Sequence, residues 1–383
     1  MCRVEWSRSM GEENLSGCPR VNFVGVGGGG CALLQSIYDQ RKTLPACVEF
    51  VAVDANIRVL DGCRERSNGR IQTFCFGQKY FRGFDTNGDV EKVCATAEES
   101  GEILSGIFPS GGWVLLIATL GGGVGSGLAP VLAKLASRQG ASVVSIVTQP
   151  FEFEGQGRYR RAENGLQSLQ VISDLVLPVP DNLLFQVLSP EATVKEAFRE
   201  SARWINALVD GIVGPLLRPS TDGRGLLHLV LDKPDVVFFA WGFAENGDLS
   251  EAVDSLLSSP FWKTLENSSA ICHLQAVVST KESPPIQVVK MLSHRLRERF
   301  RNPNLEMVTI HVPLEVGNPS VFTLALGHVR NSRTYRYPSS GKDTSAGSSE
   351  TWEEQGHFRF ATDEEDDRFD PPTYLRKGIK IDL

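Results

Sequence analysis

Two glycine-rich turns constrain this chain more than any other feature: "VGVGGGGCA" at residues 24–32 and "TLGGGVGSGLAP" at residues 119–130. Each follows a short apolar run and opens into an amphipathic stretch. Glycine reaches positive φ without strain and carries no Cβ. A run of its N–H groups therefore closes around an anion, and the helix that follows adds the positive end of its dipole. The turns predict a phosphate cradle at strand-to-helix junctions.

The flanking sequence has the rhythm such a cradle needs. "VNFVGV", "CALLQSIYDQ" and "VEFVAVD", then "GGWVLLIATL", "LAPVLAKLASRQG" and "ASVVSIVTQPF", alternate strand and helix patterns. That alternation predicts an α/β fold with a Rossmann-like parallel sheet, assigned to residues 20–188. A long central helix is expected over 189–219, ending at Arg218-Pro219. A smaller C-terminal α+β domain is expected over 220–330, with strands at "VVFFAWGFA", "CHLQAVVST", "MVTIHVPL" and "VFTLALGHV" and helices at 249–256 and 285–300. Residues 1–19 are assigned to a flexible N-terminus. Residues 331–368, rich in Ser, Gly, Thr and charge, are assigned to a disordered tail linker. Residues 369–383 then place Phe369, Tyr374, Leu375 and Ile379 among basic residues, a pattern suited to a docking peptide.

Composition removes several function classes. The net charge of −7 and the absence of a continuous basic run argue against nucleic acid as a partner. Eight cysteines occur without a C-x-x-C pair or a histidine at ligand spacing, so reduced thiols and no protein-held metal are expected. No apolar run approaches the ~20 residues of a membrane span, and no secretory signal pattern is present, which predicts a cytoplasmic protein without direct membrane insertion.

Gly25, Gly27 and Gly30 spell G-x-G-x-x-G after a strand, and Asp54 ends the next strand where a ribose-binding acid sits in dinucleotide folds. Alone, this turn suits an NAD-binding oxidoreductase. The second turn has no use in that reading, and no G-x-x-x-x-G-K-[ST] loop exists in the chain.

The second turn resembles the G-G-G-T-G-[ST]-G signature of the tubulin and FtsZ superfamily, and "PFEFEGQGRYRRAENGL" is similar to the P-F-x-F-E-G-x-x-R segment that follows it in FtsZ. Similarity extends from about Pro19 to Val329 and resumes at "DPPTYLR". There Asp370, Pro372, Tyr374, Leu375 and Arg376 match the D-I-P-x-F-L-R peptide by which FtsZ docks on membrane tethers and other division proteins. The resemblance implies GTP or GDP as ligand, with Mg²⁺ held through the nucleotide phosphates. It sets Gly27, Gly28, Gly29, Gly30, Gly121, Gly122, Gly123, Val124, Gly125, Ser126 and Gly127 around the phosphates, with Glu154 on the ribose and Arg158 near the terminal phosphate. Asp181 and Asn182 match the ribose and base edge, Phe198 matches the ring packed on the base, and Arg203 takes the base-reading position. A core role for Phe198 is nearly as good a reading. The resemblance further implies head-to-tail polymerisation with itself or with another FtsZ, at the division site.

The sequence also departs from that pattern. The family's N-x-D-x-x-D loop, whose carboxylates position the attacking water in the neighbouring subunit, should follow Arg218-Pro219. An ungapped match sets Gly223 on the asparagine, Gly225 on the first aspartate and His228 on the second. Catalysis is left to Asp222 or Asp232 in a shifted register, or to His228 as a base; an exposed or packed histidine is the plainer reading. Val124 replaces the signature threonine, and Arg203 replaces an aspartate that accepts guanine N–H groups, which a guanidinium cannot do. Phosphate binding is therefore expected to outlast both base selectivity and hydrolysis.

Overall fold

The computed structural model describes residues 19–41, 45–108, 110–217, 234, 236–265, 270–300, 302, 305–313 and 319–327. Asp222, His228, Asp232, Pro219 and the whole of the linker and docking peptide lie outside these residues.

Six parallel strands form the first sheet: β1 (Val21–Val26), β2 (Val48–Asp54), β3 (Gln72–Cys75), β4 (Trp113–Thr119), β5 (Ser142–Gln149) and β6 (Leu175–Pro180), in the order β3-β2-β1-β4-β5-β6. The central strands are nearly continuous apolar runs because helices cover both faces. In β1, Val21 and Phe23 enter one core while Val24 and Val26 enter the other. β6 carries Pro178 and Pro180, which its place at the sheet edge tolerates because an edge strand has a side with no ladder to serve. The crossover helices are α1 (Gly27–Gln40), α2 (Ile57–Arg66), α3 (Gln78–Phe81), α4 (Val90–Glu99), α5 (Gly101–Ser105), α6 (Gly123–Arg138) and α7 (Gln156–Ile172).

The central helix, α8, spans Val194–Leu216 rather than beginning at 189. Thr193 fixes the start: its hydroxyl accepts from the Glu196 N–H at 3.2 Å, and the Glu196 carboxylate accepts from the Thr193 N–H at 2.7 Å. This capping box satisfies donors that the preceding residues would otherwise have to cover.

The second sheet contains β7 (Val236–Phe243), β8 (Ile271–Thr280), β9 (Glu306–Pro313) and β10 (Ser320–Gly327), in the order β7-β10-β8-β9, with α9 (Leu249–Leu257) and α10 (Ile286–Phe300) alongside. β10 runs antiparallel to both neighbours and β8 parallel to β9. α8 joins the two sheets. Gly211 lets its backbone meet the Phe322 ring so closely that a Cβ would stand 2.2 Å from it. One apolar core runs from Phe23 and Leu34 through Ile205 and Ile212 to Phe239 and Leu324, and a second lies under α4, α6 and α7.

The expected reduced thiols hold for Cys31, Cys63, Cys75, Cys94 and Cys272. Cys47 departs from that expectation, being disulfide-bonded. Among the described residues no helix is long and apolar enough to cross a membrane.

Candidate nucleotide-binding site

Strand order reverses between β1 and β4, and a crevice opens at such a reversal beyond the carboxyl ends of parallel strands. Both glycine turns sit there, one leading into α1 and the other into α6. No side chain caps either helix, and neither first turn holds an acidic residue. Two sets of N-terminal donors and two positive dipole ends therefore meet at one crevice, without an acidic residue in either first turn.

The glycines divide into two kinds. At Gly30 a Cβ would stand 2.5 Å from the Ile117 carbonyl oxygen, and at Gly125 2.1 Å from that of Thr119. Gly29, Gly123 and Gly127 are equally crowded, by Thr119, Thr86 and Val93. Gly29, Gly30 and Gly125 are bare so that α1 and α6 can approach β4, and Gly123 and Gly127 so that α6 can approach α4 and the turn before it. Gly122 has nothing within 4 Å of its Cβ position, and Gly28 has only Asp54 Oδ2 at 3.8 Å and Val59 Cγ2 at 3.9 Å. Gly28 and Gly122 thus face the open part of the cradle, where a phosphate oxygen has room.

The second turn is tightly held from within. Gly121, at φ +97°, donates its N–H to the buried Ser126 hydroxyl at 2.8 Å, so Ser126 shapes the loop. The Gly121 carbonyl accepts from Arg161 Nε at 3.0 Å. Val124 is 8% exposed and packs toward Gly27, where a Cβ would lie 3.4 Å from its own Cβ. The contact between the turns is apolar where the family signature carries a hydroxyl.

The chain after β5 brings the next group. Glu154 is 5% exposed; its Oε1 accepts from the Phe151 N–H at 3.1 Å and its Oε2 lies 3.0 Å from Arg158 Nε. Arg158 adjoins the second turn, since a Cβ on Gly121 would lie 3.0 Å from the Arg158 carbonyl oxygen. Beyond β6, Asp181 is 5% exposed and accepts from Ser201 Oγ at 3.0 Å. Burial pushes its carboxyl up to about 8; the Ser201 bond pulls it back and the nearby Glu154 charge raises it further. Asn182 Oδ1 accepts from the Glu152 N–H at 3.1 Å, tying the two segments together. Asp54 stands beside Gly28, and burial pushes its carboxyl up to about 6, against the pull of the Asn56 and Ala55 N–H groups.

Phe198 is half-buried, edge-on to Phe151 with centroids 6.4 Å apart, and packs on the main core. The core packing is what this position shows. Arg203 is not turned toward this group. Its guanidinium stacks over the Phe243 ring at 4.5 Å and pairs with Glu200 at 3.5 Å. The structure thereby brings the glycine turns, Glu154, Arg158, Asp181 and Phe198 to one rim and directs the Arg203 side chain to β7. Sequence reasoning passed over Arg161, whose only signal was a cation three residues beyond Arg158 in the same helical face. It also passed over Phe153 and Phe185, exposed aromatics grouped around Phe151.

Comparison with known proteins agrees with this geometry. Residues 20–189 match the family model described as Tubulin/FtsZ family, GTPase domain. The cell division protein FtsZ of Buchnera aphidicola subsp. Acyrthosiphon pisum is 30% identical over 264 residues, 67% of this chain and 65% of that protein. That of Buchnera aphidicola subsp. Schizaphis graminum shows the same identity and coverage, so the chain spans 65% of the length of each. Among solved structures, an empty FtsZ dimer from M. jannaschii superposes with a TM-score of 0.69 at 21% identity, covering 82% of this chain and 89% of that one. CetZ2 from Haloferax volcanii, a GTPγS-bound protofilament, gives 0.63 at 21% identity over 82% of this chain and 95% of that one. Signature, strand order and relatives converge on one conclusion: residues 20–189 match the tubulin/FtsZ GTPase domain in sequence and fold, and the chain resembles a divergent member of that superfamily.

Proposed function

We propose that this protein binds GTP or GDP in the β1/β4 crevice and polymerises head to tail as an FtsZ-like cytoskeletal filament of cell division, with weakened hydrolysis. The observation that carries the reading is the pair of uncapped helix N-termini, free of acidic residues, in a chain whose relatives are FtsZ proteins. The residues fit the ligand. Gly28 and Gly122 leave room for phosphate oxygens, Arg158 offers a planar fork of donors beside the second turn, and Glu154, Asp181 and Asn182 supply polar atoms for ribose and base. Mg²⁺ would come with the nucleotide's phosphates and, when bound, would supply positive charge beside them.

In this reading the protein works in the cytoplasm at the division site and reaches membrane tethers through residues 369–383. Hydrolysis depends on Asp222, His228 or Asp232 supplied to a neighbouring subunit. A second reading has its own support: Val124 in the turn and Arg203 stacked on Phe243 both remove groups used for the nucleotide, which suits a non-hydrolysing scaffold that copolymerises with an active FtsZ.

The test is phosphate release from GTP and Mg²⁺ across protein concentration, with pelleting of the same samples. Pelleting filaments with slow release that rises with concentration support the leading reading. Filaments without release favour the scaffold. Absence of nucleotide binding, by equilibrium dialysis against labelled GDP, overturns both.

A further inference from the structure

Arg161 does something that no glycine of the second turn does for itself. It projects from α7, half-buried, and its Nε donates to the Gly121 carbonyl oxygen at 3.0 Å. Its guanidinium also lies against the turn that precedes α4, where a Cβ on Gly88 would stand 3.6 Å from the guanidinium carbon. That turn in turn closes on Gly123, whose Cβ position is 3.1 Å from the Gly88 backbone. Arg161 therefore spans two backbone segments that line the cradle.

A trans peptide is planar, with its C=O and N–H on opposite sides. Fixing the Gly121 carbonyl on Arg161 fixes the direction of the Gly122 N–H, which must point away from the arginine. Gly121 is held at the other end as well, because its own N–H is spent on the Ser126 hydroxyl at 2.8 Å. With φ +97°, this glycine lies in a region where the plane of the next peptide is easily turned. An anion arriving at Gly122 needs that N–H already aimed, since a donor that must reorient on binding loses part of its advantage. A charge-assisted bond to the carbonyl also polarises the peptide, making its N–H a stronger donor.

From this we infer that Arg161 is a positioning residue for phosphate: it holds the Gly121–Gly122 peptide so that the Gly122 N–H faces a nucleotide's phosphate oxygen. The inference rests on the reading of the crevice as a nucleotide site.

Two substitutions separate the bond from the bulk. Arg161→Gln places an amide nitrogen at the same point along the side chain as Arg Nε, a neutral donor to the same carbonyl. Arg161→Met has similar length and no donor. The measurement is calorimetric affinity for GDP, for pyrophosphate and for guanosine, with the thermal midpoint of the nucleotide-free protein recorded for each variant. The expected result for Arg161→Met is about a tenfold loss for GDP and pyrophosphate, unchanged guanosine affinity and an unchanged midpoint; Arg161→Gln stays within about threefold of the parent protein. Equal losses for guanosine, equal weakness of the Gln and Met variants, or full GDP affinity in Arg161→Met would each overturn the inference. A parent protein that binds neither GDP nor pyrophosphate overturns the nucleotide reading itself, which is a different failure from that of the variant.

Discussion

Asp181 concentrates the electrostatics of the rim in a single carboxyl. It is 5% exposed, has Ser201 as donor and faces the charge of Glu154, and its ionisation is pushed from the ordinary carboxylate range up to about 8. The sign of the resulting pH dependence follows from linkage. A carboxyl whose folded value lies above its unfolded value contributes stability that is complete below about pH 4 and is lost as the pH rises through about 8. The thermal midpoint of the nucleotide-free protein is therefore expected to fall between about pH 5 and about pH 8.5. Asp181→Asn keeps the acceptor for Ser201 and removes the charge, so it is expected to flatten the upper part of that decline and to exceed the parent protein at about pH 8.5. Asp54, pushed up to about 6 by its own burial, leaves a residual slope at lower pH with the same sign. An Asn variant that tracks the parent protein across the whole range would show that Asp181 is ionised without cost in the fold. The identity of Asp181 as a rim residue was legible through the family segment, but its burial was not, because that depends on α8 bringing Ser201 over it.

At the scale of elements, the sequence carried the central strands and the whole second sheet, whose apolar runs mark β7, β8, β9 and β10 closely. It was weakest at the edges of the first sheet. β3, "QTFC", is at most half-buried, and β6, "LVLPVP", is interrupted by proline; an edge strand needs neither two apolar faces nor a full set of donors, so its pattern is faint. The glycine turns were legible as a cradle, whereas the division of labour among their glycines was not, since it depends on which backbone lies opposite each one. That division is open to test. Gly125→Ala would set a Cβ 2.1 Å from the Thr119 carbonyl oxygen, a backbone atom that cannot yield without parting α6 from β4. Gly122, at φ −88° with open space around it, accepts alanine without strain. Gly122→Ala keeps the N–H but sets a methyl in the space left for a phosphate oxygen, so it is expected to keep the parent midpoint while losing about tenfold in GDP affinity, roughly 1.4 kcal/mol. Gly125→Ala is expected to lose soluble folded protein. Folding analysis by thermal melts with calorimetric binding distinguishes the two, and equal behaviour of the variants would refute the division.

The whole molecule is joined by a polar tie buried in an apolar core. Arg41 closes the C-terminus of α1 at 3% exposure, donating to the Ile37 carbonyl at 3.0 Å, to Asn206 Oδ1 at 2.7 Å and to the Asn206 carbonyl at 3.1 Å, and it pairs with Asp210. The helix whose N-terminus faces the cradle is thus fastened at its other end to α8, the element on which the second sheet packs. Burial pushes the Asp210 carboxyl up even though Arg41 pulls it down. Removing the cation alone leaves a carboxylate desolvated and unpaired, a loss of about 3–5 kcal/mol in comparable buried pairs. Arg41→Met is expected to lose that much in urea unfolding at about pH 7.5. The deficit should shrink when the same unfolding is repeated at a lower pH: the folded value lies above the unfolded one and loses the pull of Arg41 in the variant, so stability from this carboxyl is gained as the pH falls. The double variant Arg41→Met with Asp210→Leu replaces both charges by apolar groups and should recover most of the loss, since such replacements are often neutral. A deficit that is the same at both pH values and is not recovered in the double variant would assign the tie to the bonds with Asn206 instead of the ion pair. In that case the coupling of α1 to α8 is a matter of hydrogen-bond geometry, and Asn206→Leu becomes the variant that parts the two helices.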